Sequence, residues 1–212
     1  MRRTIALILC LIVLVSALSA GSNTTILAAH YGAVINFNDN YAMTHGPGAR
    51  VIYRNSGTGS KFVTAVDFSM MFPMGIYQNG VNTKVDDFFT TIHDSRPYLF
   101  QSGGIAGGGL HMKAPGMNLE ANIGAGIYIG GTGTIYSHWS RQYVEFGPGV
   151  FIDFILHLTD HWSVGIYMED GMTFARYAIV TDKYGEDSFD GFETCMNNYP
   201  GVAIGIGRTW NK

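Results

Sequence analysis

Charge is what this sequence has least of. Only 14% of its 212 residues are Lys, Arg, Asp or Glu, where an ordinary soluble domain carries about 25%. The positive share is the smaller one, 13 basic against 16 acidic residues. A phosphate-seeking surface would be basic, so no nucleic-acid partner is expected. Cysteine is nearly absent as well, with only Cys10 and Cys195. Long apolar runs are missing too: beyond the N-terminus no stretch approaches the roughly 20 residues that a spanning helix needs. What remains is glycine, at 28 residues, and aromatics, at 13%. An oily, glycine-rich chain without apolar helices points to strands.

The N-terminus reads "MRRTIALILCLIVLVSALSAGSN". Two arginines precede an apolar run from Ile5 to Val15, and Ser16, Ala17, Ser19 and Ala20 follow it. This is the pattern of a cleavable signal peptide over residues 1–20, with Gly21 as the first residue of an exported domain over 21–212. A retained anchor would be longer and would be followed by positive charge rather than small residues. Removing Arg2 and Arg3 leaves 11 basic residues (13 − 2) against 16 acidic ones, a net of −5. Cys10 would leave with the signal, and Leu7, Ile8 and Leu9 before it make a poor lipid-attachment site. Cys195 is then alone, which excludes an internal disulfide.

Alternation of large apolar with small or polar residues predicts eight strands, at about 24–38, 45–55, 61–77, 98–113, 117–131, 141–158, 162–180 and 199–210. Three connections are short: 55–60, 114–117 and 159–161. The others are longer: 38–44, 78–97, 131–140 and 181–198. Short turns on one rim and longer loops on the other suit an outer-membrane barrel.

The two faces differ in kind. One row of the sixth strand holds Val144, Phe146, Val150, Ile152, Phe154, Leu156 and Leu158. The other holds Tyr143, Glu145, Gly147, Gly149, Asp153 and His157, with Phe151 and Ile155 as exceptions. The seventh strand sets Trp162, Val164, Ile166 and Met168 against Ser163, Gly165, Tyr167 and Glu169. The last sets Val202, Ile204, Ile206 and Trp210 against Ala203, Gly205, Gly207 and Thr209. Arg208 breaks that row and belongs near a rim. A water-facing sheet rarely uses glycine, which weakens strands. Inside a narrow barrel, glycine makes room for long side chains from other strands. The large apolar row is therefore expected to face lipid, and the small and ionised row a polar lumen. Turn lengths predict that Leu158 faces Trp162 and Phe154 meets Ile166, and that Lys113 faces Asn118; in the first hairpin Arg50 can oppose Asp67 in one of the registers that parity allows. The fourth strand, "FQSGGIAGGGLHMKA", has no legible face.

These features resemble the small eight-stranded outer-membrane barrels, such as the OmpA membrane domain, OmpX and OmpW. The most specific part is the C-terminal "GVAIGIGRTWNK", similar to the terminal strand signal read by the barrel-assembly machinery. It departs from that pattern in carrying Asn211 and Lys212 after Trp210. The resemblance implies an all-β, antiparallel up-and-down transmembrane barrel in the bacterial outer membrane. Its partners would be outer-membrane lipid and the barrel-assembly machinery, with a small solute or a host surface molecule as a further one.

The lumen row collects Arg50, Arg54, Asp67, His111, Lys113, Glu120, Glu145, Asp153, His157 and Glu169. Eight strands leave an interior just wide enough for side chains to fill it. Those charges are thus either a structural plug of ion pairs or a narrow polar path for a solute. Two functions stay open: porin-like passage of small solutes through or beside the lumen, and a surface-interaction or structural protein with a closed lumen. A lipid A-modifying enzyme is a weaker third. "SHWSR" places His138 and Ser140 in the short spacing of lipid A deacylases, but Arg141 stands where an asparagine belongs. No catalytic residues, cofactor or metal site are expected. "GGIAGGG" (103–109) lacks the Lys-Ser/Thr of a phosphate loop. The acids of 182–193 fit no calcium loop, and His157 and His161 flank a turn.

Overall fold

In a computed structural model the alternating segments form ten strands: β1 (Ser22–Asn36), β2 (Ala42–Ser56), β3 (Phe62–Met71), β4 (Gly75–Gln78), β5 (Val81–Lys84), β6 (Tyr98–Lys113), β7 (Leu119–Ile135), β8 (Ser140–His157), β9 (Trp162–Thr181) and β10 (Asp187–Asn211). The structure describes residues 22–37, 42–57, 60–78, 81–84, 98–135, 140–181 and 187–211. The expected signal segment lies outside them.

Eight strands close a ring in the order β1-β10-β9-β8-β7-β6-β3-β2, with β2 returning to β1. Every pairing is antiparallel. Closure leaves no free edge around the ring, so backbone donors and acceptors are satisfied without water, as a hydrocarbon environment requires. Ser22 pairs with both Asn211 and Ser56, placing the first and last described residues at the rim of the short turns.

Side-chain direction follows the sequence rows. On β8, Val150, Phe154 and Leu156 are exposed, while Phe151, Asp153 and Ile155 are buried. The two exceptions of the sixth strand thus keep their parity and pack inside. Ile155 joins Ile26, Ile52 and Tyr167 in one apolar layer. Phe151 joins Met71, Ile105, Tyr128 and Tyr199 in another. On the outward row of β10, Ile204 and Ile206 are about 60% exposed (61% and 62%). Arg208 lies beside the short-turn rim, where Thr209 N donates to His161 O at 2.9 Å, and its guanidinium sits 4.1 Å over the Trp210 ring. The illegible face of β6 is settled by its neighbours: Gln101, Gly103 and Ile105 turn inward, and Leu110 and Met112 outward.

Four expectations change. The third strand does not run unbroken over 61–77. It stops at Met71, and after Phe72-Pro73-Met74 the chain continues along β2 as β4, held by Phe72 N to Pro47 O (3.0 Å) and Met74 N to His45 O (2.9 Å). Proline has no N–H for a ladder on both sides, so the strand bends there. β4 then pairs with β5 instead of β6. Second, the connection at 181–198 is largely strand: β10 begins at Asp187 and follows β9 through two register shifts. Third, the turn after β6 is longer than four residues. Ala114 N donates to Leu119 O (3.0 Å), Gly116 adopts φ 72°, and Lys113 pairs with Glu120 rather than Asn118. A shift of two keeps every side chain on its face. Fourth, Arg50 faces Ser69, and Asp67 faces Ile52, so Arg50 and Asp67 meet diagonally. The β8–β9 hairpin matches its expectation, with Leu158 N to Trp162 O at 2.8 Å and Phe154 opposite Ile166.

Candidate functional site

The alternation that buries every second residue gathers charge from strands remote in sequence. β2 supplies Arg50 and Arg54, β3 Asp67, β8 Asp153 and β9 Glu169, and all five are buried. Arg54 is the centre. Its Nε donates to Asp153 Oδ2 (2.5 Å) and its Nη2 to Asp153 Oδ1 (3.0 Å). On its other side Nη1 and Nη2 donate to the two oxygens of Asp67, the latter at 3.0 Å. Nη1 also reaches Tyr53 O (3.0 Å), and the guanidinium lies 4.6 Å over the Phe151 ring. A planar fork meeting two carboxylates side-on is the geometry at which Arg binds most strongly. Arg50 Nη2 bridges Asp67 Oδ2 (2.5 Å) and Glu169 Oε2 (2.9 Å). Two cations and three carboxylates therefore span the barrel from β2 to β9.

A thread of polar groups leads from this layer to the short-turn rim. Asn122 Nδ2 approaches Asp153 Oδ2 at 3.5 Å, and Asn122 Oδ1 lies 2.9 Å from His111 Nδ1. At the rim, His157 Nε2 is 3.1 Å from Glu120 Oε2, and Lys113 Nζ is 4.0 Å from Glu120 Oε1. Lys113 is 63% exposed in its side chain. Of the ten lumen residues named from sequence, five thus form one closed network. His111, Lys113, Glu120 and His157 sit at the mouth; Lys113, placed in the lumen by parity, is out in solvent because its strand ends there.

Glu145 stands apart, in a layer nearer the opposite rim. Its carboxylate accepts from Thr173 Oγ1 (2.7 Å), Asn197 Nδ2 (2.9 and 2.8 Å) and Tyr199 Oη (2.6 Å). Between the two ionised layers lies an aromatic one. Tyr128 and Tyr199 are 5.0 Å apart, and a Cβ on Gly103 or Gly171 would run into the Tyr128 ring. Those two glycines are what admit a tyrosine across so narrow a lumen.

Sequence reasoning missed Tyr128, although it shares a row with Asn122 and Gly126. It missed Thr173 and Asn197, which follow or lie within segments with irregular register. His138 lies outside the described residues. Ser140 opens β8, and the Arg141 guanidinium sits 5.0 Å over the Tyr143 ring. Asp187 to Glu193 of the acidic segment belong to β10.

No family model and no curated protein matches the sequence. Solved structures do match in fold. The attachment invasion locus protein Ail of Yersinia pestis superposes with a TM-score of 0.51 at 10% identity, over 91% of this chain and 100% of that one. A major outer membrane protein of Thermus thermophilus gives 0.55 at 9% identity, over 88% and 99%. OprG of Pseudomonas aeruginosa gives 0.52 at 9% identity, over 92% and 99%. The closed antiparallel ring is a fold shared with these outer-membrane proteins, and with its own large apolar side chains outside and charge inside it defines the class: a transmembrane β-barrel of the small outer-membrane kind. Within that class the chain has the eight-stranded up-and-down form, located in the bacterial outer membrane.

Proposed function

We propose that this protein is a closed-lumen outer-membrane barrel that works through the surface it presents outside the membrane. The observation that carries this reading is the buried network of Arg50, Arg54, Asp67, Asp153 and Glu169, which crosses the lumen between two apolar layers. A hydrated ion would have to separate these buried pairs, and breaking such a pair costs several kcal/mol (about 3–5).

The outer side of the barrel supports the same reading. A membrane-spanning strand needs about 9–11 residues, whereas β9 has 20 and β10 has 25. At about 3.3 Å per residue β10 is roughly 80 Å long. β1 accompanies β10 to Asn197, and Phe37 N donates to Met196 O at 3.0 Å, so the part of β10 before Met196 pairs, among the described residues, with β9 alone. This part of β10 is the outer edge of a raised wall in which β9 also pairs with β8 up to Thr181, and it carries Arg176 bonded to Glu193 (2.7 Å) and the Tyr177–Phe192 ring pair (5.5 Å). An extracellular sheet edge with aromatic and ionised groups offers both backbone and side-chain contacts to a partner.

Reconstitution into planar lipid bilayers tests the proposal: the wild-type protein gives no stepwise conductance, and sustained openings would overturn it. A second reading, passage beside the lumen, has one observation in its favour. Above the Met71–Gln101 pair, β4 pairs with β2 and β5, and among the described residues β6 has no partner on that side towards the outer rim. Uptake of an apolar fluorophore by proteoliposomes without ionic conductance would favour that route.

A further inference from the structure

Beyond Met196, β10 outruns the ring. Its stretch from Asp187 to Cys195 pairs with β9 on one side, and among the described residues nothing pairs with the other. A strand so placed leaves the N–H and C=O groups of its free side without ladder partners. Gly191, Phe192, Glu193 and Thr194 face Ala178, Tyr177, Arg176 and Ala175 in unbroken register, between two register shifts. Side chains alternate across this run. Phe192, 74% exposed, and Thr194 stand on one face, and Glu193 on the face that also carries the buried Cys195.

The charge of this segment is as uneven as its pairing. Residues 182–193 hold Asp182, Glu186, Asp187, Asp190 and Glu193 against Lys183, a net of −4 (1 − 5). Residues 21–212 as a whole carry −5 (11 − 16), so most of the excess lies here. One of these acids, Glu193, is already bonded to Arg176 at 2.7 Å. Charges and bulges on an edge discourage indiscriminate pairing, and here they select the occupant. A second copy would set acid against acid, which is unfavourable between cross-strand neighbours. The neighbouring outer segments bring no opposite charge: 85–97 hold Asp86, Asp87 and Asp94 against Arg96, and 38–41 hold Asp39. An extended chain bearing cations complements both the open backbone and the net negative charge. We infer that the free side of β10, from Asp187 to Cys195, takes up a lysine- or arginine-bearing segment of a partner protein as an added strand. This rests on the reading of the outer side as the working surface, and names its occupant.

An added strand continues both rows of the sheet. Its residue beside Glu193 is cationic, and those beside Phe192 and Thr194 are apolar. Backbone bonds then supply affinity, and the two rows supply specificity. Reversing Asp187 and Asp190 turns two attractions into repulsions, which weakens a basic strand about tenfold in a salt-dependent manner. Asp190 has no partner on β9, so its replacement leaves the β9–β10 register as it is.

Fluorescence anisotropy of the full barrel in neutral detergent reads this directly. The probe is a fluorescein-labelled peptide of alternating lysine and valine, as long as the free edge. Wild type is expected to bind it. The same peptide with every amide N-methylated keeps its charge, loses its backbone donors and does not bind. The double variant Asp187→Lys, Asp190→Lys binds the unmethylated peptide about a tenth as tightly, while Asp160→Lys, exposed at the opposite rim, matches wild type. Heat-modifiable gel mobility reports that each variant is folded. Equal binding of the methylated peptide overturns the inference, because attraction without a ladder is then all there is. Binding that is absent from wild type, or unaltered in the double variant, overturns it as well. A wild-type dimer held through this edge also overturns it, since the occupant is then a second copy of the chain. Conductance in planar bilayers reports on the lumen alone, so a conducting barrel that binds the peptide loses the closed-lumen reading and keeps this one.

Discussion

Replacing Arg54 by alanine is the perturbation that most sharply distinguishes a dry plug from a wet pore. The substitution removes four hydrogen bonds to carboxylates and the stacking on Phe151. Asp67 keeps Arg50 Nη2 at 2.5 Å, but Asp153 keeps only the 3.5 Å approach of Asn122. One fully buried carboxylate is thereby stranded. Leaving one partner of a buried pair uncompensated costs about 3–5 kcal/mol, which lowers the folded-to-unfolded ratio by roughly two to three and a half powers of ten. The double variant Arg54→Ala, Asp153→Ala removes the stranded charge too and recovers about 2 kcal/mol of that loss. Urea titration of the protein in lipid vesicles, followed by tryptophan fluorescence and gel mobility, measures both. A loss below about 1 kcal/mol, the worth of a solvated surface pair, would refute the reasoning: the network would then be bathed in water and the lumen open.

Other outcomes follow from the same geometry. Gly171→Val drives a side chain into the Tyr128 ring, so the variant fails to reach the heat-modifiable folded form in vesicles, whereas Gly116→Asn, at a left-handed turn position with nothing near its Cβ, folds normally. Tyr199→Phe removes a 2.6 Å hydrogen bond to the buried Glu145 carboxylate and costs about 1.5–3 kcal/mol in urea titration. Arginine at Ile204, six residues above Trp210 on the outward row, costs about 2–4 kcal/mol, while arginine at the rim residue Leu158 costs about 1 or less.

Much of the fold could be read from the sequence because a barrel wall imposes one rule on every strand. Hydrocarbon outside and a narrow interior demand period-2 alternation, and Phe154 beside Asp153 or Ile204 beside Gly205 records it without tertiary context. Strand ends were less legible where the cause lies outside the strand. Pro73 breaks the ladder locally, but only the pairing of β4 with β2 keeps the wall continuous past it. The outer half of β10, polar and acidic, has no lipid to face, so nothing in its composition distinguishes it from a loop. β6 was mute because glycine occupies both of its rows. Charged lumen residues were legible by parity alone, yet parity does not give height, and so Lys113 and Arg50 looked alike. The network partners depended on diagonal reach across strands: Arg50 meets Asp67 although the register sets it against Ser69. Neutral partners such as Tyr128, Thr173 and Asn197 carry no charge to attract notice.

The central claim is orientation around a closed interior, and site-directed spin labelling along β8 tests it most directly. With the buried Cys195 replaced by serine, single cysteines at Val150, Phe151, Ile152, Asp153, Phe154 and Ile155 are labelled in the reconstituted barrel. The account predicts collision with oxygen at 150, 152 and 154 and protection from both oxygen and a water-soluble nickel reagent at 151, 153 and 155. High nickel accessibility at 151, 153 and 155 would contradict the closed lumen, and high nickel accessibility at 150, 152 and 154 would contradict the barrel's orientation itself.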